Sequence, residues 1–109
     1  MKVGIVEYID SAHYISGHES CGRMHGHTYR IEVVVEGPKN SREMVIDFYE
    51  LKKIVKEVLK EFDHRALNEL METPTCENLC EAVHAKLRER LNFPFTLRVW
   101  EGRDKWVEK

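Results

Sequence analysis

No apolar run in this chain lasts more than a few residues, far short of the ~20 that a membrane-spanning helix requires. Its opening, "MKVGIVEYIDSAH", lacks the apolar segment and small-residue cleavage site of a secretion signal. Basic blocks are missing too. The 17 lysines and arginines are interspersed with 19 aspartates and glutamates, so nucleic acid is not the leading partner. Cysteines number only three, which without an export signal argues against a disulfide framework. No repeat, low-complexity tract or linker breaks the sequence, so one domain over residues 1–109 is expected. Together these absences predict a soluble cytoplasmic protein with neither a membrane nor a nucleic acid as partner.

What is present is patterned. Apolar residues make up 42% and charged residues 33%, a balance that suits a globular chain with one modest core. "KVGIVEYIDSAH" reads as a strand whose Val3, Ile5, Ile9, Ser11 and His13 share one face by the period of two. "HTYRIEVVVEG" reads as a second, with Tyr29, Ile31, Val33 and Val35 alternating against Arg30, Glu32 and Glu36. "GPKNSRE" supplies turn signals, and "MVI" reads as a short extended piece after it. The period then changes. In "DFYELKKIVKEVLKEF" the apolar positions recur at helical spacing behind Asp47, a capping residue with Glu50 three positions on. "ENLCEAVHAKLRERL" gives a second helix with Leu79, Val83, Leu87 and Leu91 on one stripe and Thr75 as its cap. "FTLRVWEG" and "KWVE" read as two closing strands. The order predicts an α+β fold: a four-stranded sheet with two helices on one face. Its open edges predict self-association.

The stretch "SCGRMHGHTYR" carries the first chemistry. His25 and His27, two apart at a strand start, leave the same face, and His13 ends the first strand. If the two strands pair as a hairpin, three imidazoles converge, and three with an open fourth position is a catalytic zinc pattern. Singly, each histidine is as well explained by an ordinary hydrogen bond. Cys21 lies four positions before His25 in a loop containing Gly17 and Gly22. Beside a cation its thiol would ionise and serve as a base or nucleophile; otherwise it is a small buried hydrophobe.

Asp63 and His64 in "FDHRALN" follow a helix end, where they form either a proton donor with its orienting carboxylate or a loop cap. Glu101 extends the apolar face of Phe95, Leu97 and Val99. There it is either solvated beyond the strand or a bidentate acceptor for a ligand's paired N–H groups. Cys76, Cys80 and His84 recur four apart on one helix face. They match no common structural zinc spacing, so core packing is the expectation.

The segments "SAHYI", "CGRMHGH", "MVIDFYELK", "DHRALN", "PTCEN" and "VWEG", in that order, resemble the 6-pyruvoyltetrahydropterin synthase family. Within it they are most similar to the 6-carboxy-5,6,7,8-tetrahydropterin synthases of queuosine and archaeosine biosynthesis. The resemblance implies the tunnelling fold (T-fold), with trimers closing strands into a barrel, two trimers stacked as a homohexamer, and active sites at subunit boundaries. It implies Zn²⁺ on His13, His25 and His27, Cys21 as catalytic thiolate, and Asp63 with His64 as the proton-transfer pair. Glu101 would anchor a small-molecule pterin by its amino-pyrimidinone edge, with Thr75 nearby.

Three residues separate Cys21 from His-Gly-His, as in the carboxytetrahydropterin branch, whereas the animal pyruvoyl-forming enzymes have a longer gap. A folate-linked branch has glutamate in place of the cysteine. The resemblance implies 7,8-dihydroneopterin triphosphate as substrate and 6-carboxytetrahydropterin, acetaldehyde and triphosphate as products. Pyruvoyltetrahydropterin synthesis, a side-chain-cleaving relative and an idle zinc- and pterin-binding homologue are the alternatives. Arg23 and several lysines are triphosphate candidates. Two departures stand out: the loop from His13 to Cys21 is short, and Gly102 stands where a threonine commonly follows the anchoring glutamate.

Overall fold

The computed structural model describes residues 1–109. In chain order these form β1 (Lys2–His13), β2 (His25–Glu36), α1 (Phe48–Leu59), a 3₁₀ turn (Leu67–Glu69), α2 (Cys76–Arg88), β3 (Phe95–Glu101) and β4 (Trp106–Glu108). The strands form one antiparallel sheet in the order β1-β2-β3-β4. Both helices cover the same face, α1 against β1 and α2 against β3 and β4. No helix is long and apolar enough to cross a membrane.

Alternation on the strands decides which face is covered. Ile5 and Ile9 of β1, Tyr29, Ile31, Val33 and Val35 of β2, and Leu97 and Val99 of β3 are buried beneath the helices. They meet Leu51, Val55, Val58 and Leu59 of α1 and Leu79, Cys80, Val83 and Leu87 of α2. Each such aliphatic side chain contributes about 1.5–3 kcal/mol when fully buried. The helix starts fall where the capping residues stand: Asp47 Oδ1 accepts from the Tyr49 N–H at 2.8 Å and Thr75 Oγ1 from the Asn78 N–H at 3.1 Å.

Three elements differ from expectation. "MVI" pairs with no strand: Val45 is buried in the core, while the Asn40 N–H bonds to the Met44 carbonyl and the segment turns into α1. α1 ends at Leu59 rather than continuing to Phe62, because residues 60–66 leave the helix to fasten onto β1. β2 starts two residues early, at His25, since pairing with β1 runs to its last residue.

Candidate metal centre and active site

Register builds the first cluster. His13 pairs with His25 and Ser11 with His27 across β1 and β2, so all three imidazoles project from the helix-covered face at the loop end of the hairpin. Ring centroids lie 4.7–5.0 Å apart, edge to face, and the three donor nitrogens fall within 4.8 Å of one another. Carbonyls fix two of the rings. His13 Nδ1 donates to Pro74 O at 2.7 Å and His25 Nδ1 to Arg23 O at 2.7 Å, which leaves each Nε2 as a bare lone pair. His27 Nε2 is buried and has no hydrogen-bond partner. Burial holds the His27 pKa below the ordinary histidine value, with His13 and His25 adding to the depression against the opposing pull of Glu101. Three convergent imidazoles, two of them oriented by carbonyls and the third with an orphaned ring nitrogen, are the donor set a divalent zinc-like ion requires, so these residues fit a metal.

Beside this cluster lies a pocket of about 300 Å³ that gathers His13, His18, Cys21, Thr75, Cys76 and Glu101. Glu101 enters through its pairing with Tyr29, which sets Oε1 3.6 Å from His27 Nε2. Thr75 spends its oxygen lone pair on the α2 cap, so its own O–H remains free to donate. Of the two thiols here, Cys76 donates to Val99 O at 3.6 Å. Burial, helped by Glu101, pushes it up to about 12, which leaves it a neutral thiol at neutral pH. Cys21, half-buried on the loop, is tied to the end of β1 by its carbonyl, which accepts from the Ile15 N–H at 2.7 Å.

Asp63 and His64 lie elsewhere. They belong to a strap after α1 that lines the outer edge of β1: the His64 N–H donates to Asp10 O at 2.7 Å, and the Ala12 N–H to Arg65 O at 2.9 Å. Asp63 Oδ1 accepts from the Asp10 N–H and from His64 Nδ1, both at 2.9 Å. Partial burial pushes the Asp63 carboxyl up, but these donors outweigh it and hold the carboxyl below its usual range. His64 takes a left-handed backbone, φ +56°, and its ring is largely exposed. It lines a separate open hollow with Asp10, His27 and Thr28, away from Cys21. Within one chain, therefore, the expected proton-transfer pair and the expected thiolate do not share a pocket.

The thiols and imidazole of α2 form no metal cluster. Cys80 donates to Leu97 O at 3.9 Å and the His84 ring stacks on Phe95 with centroids 4.5 Å apart. Sequence reasoning passed over His18 and Pro74. A histidine three positions before Cys21, in a glycine-bounded loop, was the one visible signal among them.

The profile of the 6-pyruvoyl tetrahydropterin synthase family matches residues 2–109. The chain belongs to that family. It is 44% identical over 108 residues, 99% of its length and 94% of the relative's, to a protein of Archaeoglobus fulgidus provisionally named 6-carboxy-5,6,7,8-tetrahydropterin synthase. It is 41% identical over 102 residues, 91% of its length and 88% of the relative's, to the dihydroneopterin monophosphate aldolase of Pyrococcus furiosus. Its fold matches that of the Caenorhabditis elegans 6-pyruvoyl tetrahydropterin synthase with a TM-score of 0.90, at 21% identity, over 100% of this chain and 94% of that one. The architecture is thus the T-fold of this family.

Proposed function

We propose that the chain is a zinc-dependent 6-carboxy-5,6,7,8-tetrahydropterin synthase. It would act in the cytoplasm as one domain, converting 7,8-dihydroneopterin triphosphate to 6-carboxy-5,6,7,8-tetrahydropterin, acetaldehyde and triphosphate on the route to a deazapurine base of transfer RNA. The observation that carries this reading is the meeting of Cys21, Thr75 and Glu101 with His13 around one pocket at the edge of the imidazole cluster.

His13, His25 and His27 would hold Zn²⁺, which supplies Lewis acidity toward oxygens of the substrate side chain. Glu101 accepts the paired N–H groups of the amino-pyrimidinone ring, and the Thr75 hydroxyl donates beside it; together they orient the side chain toward the histidines. Cys21 as thiolate removes a proton from that side chain, and His64, held by Asp63, moves protons on the opposite side. Because His64 lines a different hollow of its own chain, it would serve the pocket of a neighbouring subunit. A homohexamer built as a dimer of trimers, with sites at the subunit boundaries, meets that need. The sheet face opposite the helices supports association, since it exposes Val6, Tyr8 and Trp106.

The likeness to an aldolase acting on dihydroneopterin monophosphate supports a second reading, cleavage of a carbon–carbon bond in the side chain of a singly phosphorylated pterin, with the same residues. Mass spectrometry of the zinc-loaded protein incubated with each phosphate ester separates the two. Carboxytetrahydropterin and acetaldehyde from the triphosphate is the expected result. Turnover of the monophosphate alone would move the assignment to the aldolase, and no turnover of either would overturn both.

A further inference from the structure

The short loop between β1 and β2 holds a side chain aimed at the Cys21 backbone. His18 Nδ1 accepts from the Cys21 N–H at 3.1 Å and lies 3.2 Å from Ser20 Oγ, which in turn sits 3.7 Å from Cys21 Sγ. The His18 N–H reaches Ile15 O at 3.3 Å, and Ile15 N–H reaches Cys21 O at 2.7 Å, so residues 15–21 close on themselves. The closure is tight. A Cβ on Gly22 would stand 2.7 Å from the His18 carbonyl oxygen, so no larger residue fits there without moving the loop.

We propose that His18 is a positioning residue for Cys21, its Nδ1 lone pair holding the Cys21 backbone so that the thiol faces the pocket. This rests on the reading of Cys21 as the working thiolate. The tempting alternative, a base that takes the thiol proton through Ser20, conflicts with the geometry. A nitrogen that accepts the Cys21 N–H has no lone pair left for a second proton, and protonating it would set two N–H groups against each other. The ring proton belongs on Nε2, and the imidazole works as a neutral acceptor. Asparagine offers an oxygen acceptor at the same distance from the backbone, so it reproduces the bond without any basicity.

His18→Ala and His18→Asn are compared by two readouts. The first is the rate of Cys21 alkylation by iodoacetamide, followed by peptide mass spectrometry; it needs neither substrate nor turnover. The second is kcat and KM with dihydroneopterin triphosphate. His18→Ala frees the loop. Cys21 should then alkylate several-fold faster while kcat falls about 10- to 100-fold, as misplaced catalytic groups do, with KM within about twofold. His18→Asn should match the parent protein in both. Asparagine as impaired as alanine would overturn the acceptor role in favour of proton chemistry at the ring, and alanine alkylating like the parent would overturn positioning altogether. Absence of turnover in the parent protein sinks the functional reading but leaves the alkylation comparison decisive for His18.

Discussion

Two clusters in this molecule each bring three ligand-type groups within 4.8 Å of one another, and they are built on opposite principles. His13, His25 and His27 stand on paired strands with their Nδ1 atoms tied down where carbonyls are in reach; His27 Nε2 is buried and unsatisfied. Asp10, Asp63 and His64 stand on an exposed edge and spend their capacity on one another and on Thr28, whose hydroxyl donates to Asp10 Oδ1. Proximity is therefore not the diagnostic. The first cluster has lone pairs left over for a cation; in the second the carboxylate oxygens of Asp63 and Asp10 already accept from the Asp10 N–H, His64 Nδ1 and the Thr28 hydroxyl. The contrast also explains why the first tolerates burial and the second stays at the surface.

The comparison breaks most visibly if a ligand is removed. His25→Ala should reduce zinc from one ion per chain to near none, measured by elemental analysis of untagged protein, and abolish turnover. A variant that still carries stoichiometric zinc would deny the cluster its role. Cys21→Ala tests the neighbouring pocket without touching the cluster. It should keep its zinc and lose about 10²- to 10⁴-fold in kcat, the range for a lost proton-transfer group.

Asp63→Asn sharpens the other half. His64 loses its charged partner, and kcat should fall about tenfold or more while zinc is retained. The same variant has a signature in stability. A carboxyl held below its unfolded value, ~3.9 for aspartate, contributes stability that is complete above that pH and is lost as pH falls through the lower folded value. The gap in Tm between parent and Asp63→Asn should thus be widest above about pH 5 and shrink steadily toward pH 2. Because the side chain is 37% exposed, solvent keeps the gap modest. A gap independent of pH would mean that the Asp10 and His64 contacts do not depend on the charge.

Much of this was legible beforehand, for physical reasons that differ by element. Tyr29, Ile31, Val33 and Val35 announce a half-buried strand because a pleat buries alternate residues, and the same parity places His25 and His27 with them. The hairpin that brings His13 to His25 follows from two long strands joined by one loop. The strap from Phe62 to Asn68 was hidden, because much of its grip on β1 is made by backbone groups, with Asp63 Oδ1 on the Asp10 N–H and Asn68 Oδ1 on the Tyr14 N–H, each at 2.9 Å, completing it. Backbone bonds between distant segments leave no trace in residue type. His18 was hidden for another reason: its role lies in which nitrogen accepts which N–H, and that depends on a loop shape no periodicity encodes. The division of Cys21 from His64 likewise became visible only with the fold, since the motifs that suggest each are silent about which face of β1 they occupy.

The smallest effect concerns a residue that looked like a defect. Gly102 stands where the resemblance to the family leads one to expect a threonine. In the structure Gly102 takes φ +73°, its N–H reaching Thr28 O at 3.2 Å, while the preceding Glu101 N–H reaches Lys105 O at 3.0 Å. The turn that returns the chain into β4 thus begins right behind Glu101, and it requires a left-handed backbone that glycine adopts freely and a β-branched residue does not. Gly102→Thr should cost about 1–2 kcal/mol, read as a fall of a few degrees in Tm, without lowering KM for the pterin. If the threonine instead tightened substrate binding at no cost in stability, the turn would be adaptable and the glycine a loss of contact. The geometry favours the opposite conclusion: a glycine here holds Glu101 at the edge of the imidazole cluster by letting the strand end on time.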